Sequence, residues 1–237
     1  MESFRLHLTA VDLLWEQAGL GAHPFPLEIP SAGADLAQRA VIRERVWREL
    51  AERELLDGRR RVLPELADSL ALLAGGELAV STIALLDVSS GEQLAARAVA
   101  GAGRAVHAVL REDWLVLDQI PVEDLVDRAV AAIPDNRAAP NGVLTVSQSA
   151  GHEDFLEPVS ARSHRHLLRG VRSRVGRFAV HGRPDGRGWR GGGPLGWFDV
   201  AAGRYRYEVR HGQGTVFTPT DSAGITRRLC QLLSDLR

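Results

Sequence analysis

Apolar and polar positions divide the chain into short, legible segments. Phe4-Arg5-Leu6-His7-Leu8 alternates and predicts a strand. Thr9 then reads as a helix N-cap, with Asp12 at the capping-box position three residues on. Leu13, Leu14 and Ala18 supply the buried stripe, and Gly19 ends the helix. Residues 25–29, set between prolines, predict a second short strand. Residues 31–56 carry the strongest helical period, with Ile42, Val46, Trp47 and Leu50 among charged positions. Residues 64–74 form a further helix, closed by Gly75-Gly76.

The texture then changes. Residues 78–86, 93–100, 104–111 and 114–120 read as successive strands with Gly, Ser or acidic corners between them. Such a meander implies an antiparallel sheet. From residue 120 the order restarts: a helix opening at Pro121, a strand at 142–146, and a helix over 150–168. Strands at 176–181, 195–200, 204–210 and 215–218 follow, and a helix over 220–236 closes the chain. The reading is an α+β fold in one domain, 1–237, made of two related halves, 1–120 and 121–237, whose sheets merge.

Composition narrows the chemistry. The 237 residues are 45% hydrophobic and 25% charged, with net charge −1. That profile is globular. All 29 basic residues are arginine, which excludes Schiff-base lysine catalysis and a lysine-dependent P-loop. Residues 1–120 hold 12 arginines against 18 acids, and residues 121–237 hold 17 against 12. The lone cysteine, Cys230, neighbours Leu229, Leu232 and Leu233 and is expected to be a buried, inert thiol. No basic start followed by an apolar stretch is visible, and no apolar run reaches membrane-spanning length. A cytoplasmic protein is expected.

No catalytic constellation emerges. Gly186-Arg187-Gly188-Trp189-Arg190-Gly191 matches a dinucleotide fingerprint literally, yet it leads into a strand where that site needs a helix. His164 and His166 stand two apart, and no zinc spacing or H-E-x-x-H occurs. Neither G-x-S-x-G nor S-x-x-K is present. No enzyme activity, metal or cofactor is expected. Two surfaces stand out. Nine arginines from Arg162 to Arg190 meet one acid, Asp185, and such a stripe can track phosphates. In residues 204–210, Tyr205, Tyr207 and Val209 share one face and the charged residues share the other. The tyrosine face is expected to pack on helices, leaving the arginines to solvent, a second helical layer or a partner.

Three stretches resemble a known family. They are residues 8–31, the Arg-rich helix leading to Gly176-Arg177-Phe178 and the glycine loop, and the ending from Gly196 to Pro219 with its final helix. The pattern W-x-D-x-x-x-G-R-Y, from Trp197 to Tyr205, is the most specific part. Together they resemble the EspG family of ESX (type VII) secretion-associated proteins of actinobacteria. The resemblance implies a cytosolic, non-enzymatic chaperone with a central antiparallel β-sheet flanked by two helical bundles and pseudo-two-fold internal duplication. It implies binding of the apolar tip of a helical PE–PPE client, or of another exported type VII substrate. On that basis the contact is expected at Leu86, Asp87 and Val88, at Arg206, and at Leu229, Leu232 and Leu233. The turn near residue 90 is short, so contact through a long loop is not expected. The alternative is a nucleic-acid-binding regulator using the Arg162 to Arg190 stretch.

Overall fold

A computed structural model describes residues 2–140, 142–146, 170–183, 188–210 and 214–236. In chain order the elements are β1 (Ser3–His7), α1 (Leu8–Gln17), α2 (Leu36–Glu52), α3 (Pro64–Gly75), β2 (Leu78–Asp87), β3 (Glu92–Gly101), β4 (Arg104–Arg111) and β5 (Trp114–Ile120). A 3-10 turn (Val122–Asp124) then leads to α4 (Leu125–Ala131), β6 (Leu144–Val146), β7 (Arg174–Gly182), β8 (Arg190–Gly191), β9 (Leu195–Val200), β10 (Gly203–Arg210), β11 (Gly214–Pro219) and α5 (Ser222–Ser234).

The strands form one sheet in the order β1-β5-β4-β3-β2-β7-β9-β10-β11-β6, with the short β8 beside β7. Every pairing of named strands is antiparallel. This is the α+β architecture expected of the meander. Two five-strand halves meet at β2–β7. In each, an inner strand is followed by a meander running outward to an edge strand. The helix expected over 150–168 lies outside the described residues, as do Ser147 to Gly151 and His152, His164 and His166.

The helices divide between the faces. On the first face α1, α2 and α3 pack Leu13, Leu50, Leu66 and Leu70 against Leu6, Leu115 and Leu117 of the sheet. On the second face α4 and α5 pack Val130, Ile225, Leu229 and Leu233 against Val80, Phe178 and Trp197. Each fully buried large side chain contributes about 1.5–3 kcal/mol.

Local details correct several expectations. The N-cap of α1 is His7, whose Nδ1 accepts from the Thr9 amide at 3.2 Å. Asp12 is no cap. It is buried and accepts from the Ala32 amide at 2.9 Å and from Arg39 at 2.8 Å. That bond folds residues 31–34 onto α1, so α2 starts late, at the Asp35 cap, which accepts from the Gln38 amide at 2.8 Å. Residues 25–29 are not a strand. Pro24, Pro26 and Pro30 remove ladder donors, and the Phe25 carbonyl accepts from the side chains of Ser81 and Arg97, both at 3.1 Å.

On β10 the charged face meets a helical layer, one of the expected alternatives, whereas the tyrosine face does not pack on helices as expected. The helix α5 covers the charged face, where Arg228 bonds Glu208 at 2.5 Å and Leu229 packs with Trp197. The tyrosines face the other way. There they form a ring cluster with Phe198 and Phe217, at centroid distances of 5.6 to 6.2 Å.

Candidate functional site

The motif from Trp197 to Tyr205 builds the second half of the sheet. Alternation puts Trp197 and Asp199 of β9 on the second face, and the β9–β10 register sets Arg204 opposite Asp199. Arg204 Nε donates to Asp199 at 2.7 Å and an Arg204 terminal nitrogen donates to the other carboxylate oxygen at 2.9 Å. The same nitrogen reaches the Pro134 carbonyl at 2.7 Å, and the guanidinium lies 4.6 Å from the Trp197 ring. Both side chains of the pair are fully buried. Gly203 holds φ +139° with the Ala139 backbone 2.8 Å from where a Cβ would stand, so only glycine fits. Every member of the motif is therefore internal. It holds the β9–β10 hairpin and joins it to the segment after α4.

The expected partner residues are dispersed by the fold. Leu229 and Leu233 are core residues of α5, at 0% and 6% exposure, and offer nothing to a partner. Helical spacing aims them at Trp197, a choice that the apolar run by itself left open. Leu86 and Leu232 pack partly against the same core. Asp87 organises its own turn, accepting from Ser89 and Ser90, and these bonds hold its carboxyl below its ordinary range. Val88 is exposed. Arg206 is held by Glu208, which Arg228 also grips. Burial pushes the Glu208 carboxyl up, but the two guanidiniums outweigh it and keep the group below its usual range. Cys230 is exposed rather than buried, because the turn from Leu229 to Cys230 carries its side chain off the inward stripe.

The described arginines of the basic stretch also have internal contacts. Arg172 lies 4.7 Å from the Phe198 ring, Arg177 lies 5.7 Å from Phe25, and Arg183 lies 4.5 Å from Trp189. Arg174 donates to the Leu86 carbonyl at 3.2 Å and to Asp199 at 3.4 Å. Arg162, Arg165, Arg169 and Arg187 lie outside the described residues. Among the described residues, no group of three or more His, Cys, Asp or Glu side chains could hold a metal ion.

A different surface is assembled by strand register. Leu110, Ala95, Ile83, Arg177, Gly196, Tyr207, Phe217 and Leu144 are successive cross-strand partners on eight strands. They share the first face of the sheet, and at ~4.8 Å per strand they make a row roughly 34 Å long. A parallel row runs through Leu85, Val175, Phe198 and Tyr205. Gly196 has no Cβ because the Tyr207 ring lies flat across it. Ile83, Leu85, Leu110, Val175, Tyr207 and Phe217 are each only partly buried. An open groove of ≈ 610 Å³ occupies the stretch from Leu110 to Tyr207, bounded by Phe25, which is 50% exposed, and by Arg172 and Arg177. Alternation in each strand was visible in the sequence. The register that aligns eight strands was not.

A larger cleft of ≈ 830 Å³ lies between α3 and the approach to α4. Its floor is closed by the Gln119–Ser69 hydrogen bond at 3.1 Å, and the Arg104–Asp68 pair lies at its rim. It has no aromatic anchor, so the smaller groove is the better protein-binding surface.

Comparison with known proteins decides the family. The model of the EspG family matches residues 7–231. The chain belongs to the EspG family. Among solved structures, this EspG-family chain is similar to EspG5 of Mycobacterium tuberculosis, described as a type VII secretion system chaperone in complex with a PE25–PPE41 dimer. The match has a TM-score of 0.65 at 13% identity, covering 99% of this chain and 96% of the other. It shows a shared fold. No curated protein matches the chain. No described helix of this EspG-family protein is long and apolar enough to cross a membrane.

Proposed function

We propose that this protein is a type VII secretion chaperone that acts in the cytoplasm, binding a helical PPE-like client and keeping it soluble until export. Membership of the EspG family, over residues 7–231, carries this reading. The described EspG5 complex supports it, since that relative holds a PE–PPE dimer on the same fold.

The physical requirement is modest. A helical bundle whose tip exposes apolar side chains aggregates unless the tip is covered. The groove along the first face supplies an apolar floor and aromatic anchors, Tyr207 and Phe25. Covering such a tip makes and breaks no bond, so the proposed role is binding without catalysis. The exposed Val88, just past the end of β2, is the one expected contact residue of that turn that offers an open apolar side chain.

Co-expression with the type VII substrates encoded beside it, followed by size-exclusion chromatography, tests the proposal. The expected result is co-elution with one helical client. Tyr207→Ser should weaken that complex by at least ~10-fold, the effect of losing an aromatic anchor. If every helical neighbour elutes apart from the wild-type chain, the proposal fails.

A further inference from the structure

The groove contains a charge that an apolar floor does not explain. Arg177 stands in the middle of the eight-strand row, between Ile83 on β2 and Gly196 on β9. Its neighbours in the row are otherwise apolar. Arg177 is exposed, and its guanidinium rests against the Phe25 ring. Arg172, also exposed, flanks the same groove with its guanidinium against Phe198. Ring contact engages the flat face of a guanidinium and leaves its N–H edges free to donate. Among the described residues neither arginine makes an ion pair or a hydrogen bond. The carboxylate on the groove wall, Glu28, pairs with neither. On the second face, by contrast, Arg204 has Asp199, and Arg206 of β10 and Arg228 of α5 share Glu208. Among the described residues, the groove thus presents two held arginines without a counter-charge above an apolar floor.

We infer that the groove selects a client helix that carries one or two carboxylates beside its apolar stripe, and that Arg172 and Arg177 receive them. The inference rests on the chaperone reading and adds the chemistry of the partner. An apolar stripe alone would fill the floor and leave both guanidiniums partly desolvated without a counter-charge, which is unfavourable. A basic or neutral helix would meet that penalty, so the arginines act against wrong clients as well as for the right one. A planar fork suits a carboxylate better than a point charge would, and this chain has only arginine to offer.

The test uses two synthetic 20-residue amphipathic helices with the same Leu/Phe stripe. One is flanked by Glu and the other by Gln. Binding of the fluorescently labelled peptides to the full chain is followed by anisotropy at low and high salt, for wild type and for the Arg172→Gln/Arg177→Gln double variant. Both arginines are exposed, so the variant is expected to melt at the wild-type temperature. The Glu peptide should bind wild type about five-fold more tightly than the Gln peptide, the combined effect of two rim pairs. That preference should disappear in the double variant and shrink in high salt. Equal binding of the two peptides to wild type, with Tyr207→Ser weakening both, overturns the charge selection and leaves the apolar chaperone groove standing. A Glu preference that survives in the double variant also overturns the assignment, because the selecting charge then lies elsewhere. Binding of neither peptide overturns this inference, and co-elution of a natural client would still uphold the chaperone role.

Discussion

Replacing Asp199 by alanine removes the counter-charge of a guanidinium that has no route to water. Arg204 and Asp199 are both fully buried, and two bonds of 2.7 and 2.9 Å join them. After the substitution Arg204 keeps one acceptor, the Pro134 carbonyl, and Arg174 loses its contact with Asp199 as well. Leaving one member of a buried pair unpaired costs about 3–5 kcal/mol. At ~2–4 °C per kcal/mol for a chain of this size, the melting temperature should fall by roughly 6–20 °C. Circular-dichroism melts and urea midpoints measure this directly. The double substitution Asp199→Leu with Arg204→Met should cost much less, because both desolvated charges leave together and the volume is retained. A single variant that melts within ~2 °C of wild type would refute the reasoning, since the pair would then be peripheral to the fold. The same would follow if the double variant were no better than the single one.

Two further outcomes follow from other residues. His107 on β4 is buried, and burial, with the charge of Arg128 adding to it, lowers its pKa to about 4. The unfolded chain, near 6.5, binds the proton first, so this histidine's contribution is complete above about pH 6.5 and is lost as pH falls towards 4. His107→Leu should therefore flatten the stability profile across that window, by up to about 3 kcal/mol in the difference from wild type. Unchanged curvature between the two profiles would contradict the burial argument. Cys230 is exposed on α5, so the native protein should react stoichiometrically with a maleimide at a rate comparable to that in denaturant. Labelling only after unfolding would show the thiol to be enclosed.

The expectation of an internal thiol failed for an instructive reason. Leu229, Cys230, Leu232 and Leu233 form one apolar run, and a run does not say which of its members faces inward. The helix period does, once the sheet fixes which face it meets. Leu229 and Leu233, four apart, turn to Trp197, and Cys230 turns away. The same loss of information moved the candidate contact. Leu229 and Leu233 were attractive because they are apolar, and they are inaccessible for the same reason.

The amino-acid sequence was sufficient for what short-range chemistry controls. Alternation defined β2 to β5, β7 and β9 to β11, and the Trp197-to-Tyr205 pattern marked the family, whereas the two-residue β8 and the Asp35 cap of α2 were not read from it. It also showed that β10 has one aromatic face and one charged face. Which of those faces receives a helix was decided in three dimensions. The Arg204–Asp199 pair is buried beneath α5 and the segment after α4, so the charged face went inside, while on the other face Tyr205 is buried in the ring cluster and Tyr207 stays partly open. Register is likewise a long-range property. Eight strands, from β4 near residue 110 to β6 near residue 144, align Leu110, Ile83, Tyr207 and Phe217 into one floor, with Arg177 at its centre. No local pattern reports that alignment, because the hairpins are joined into one row only through the β2–β7 and β11–β6 ladders, which pair strands distant in the chain.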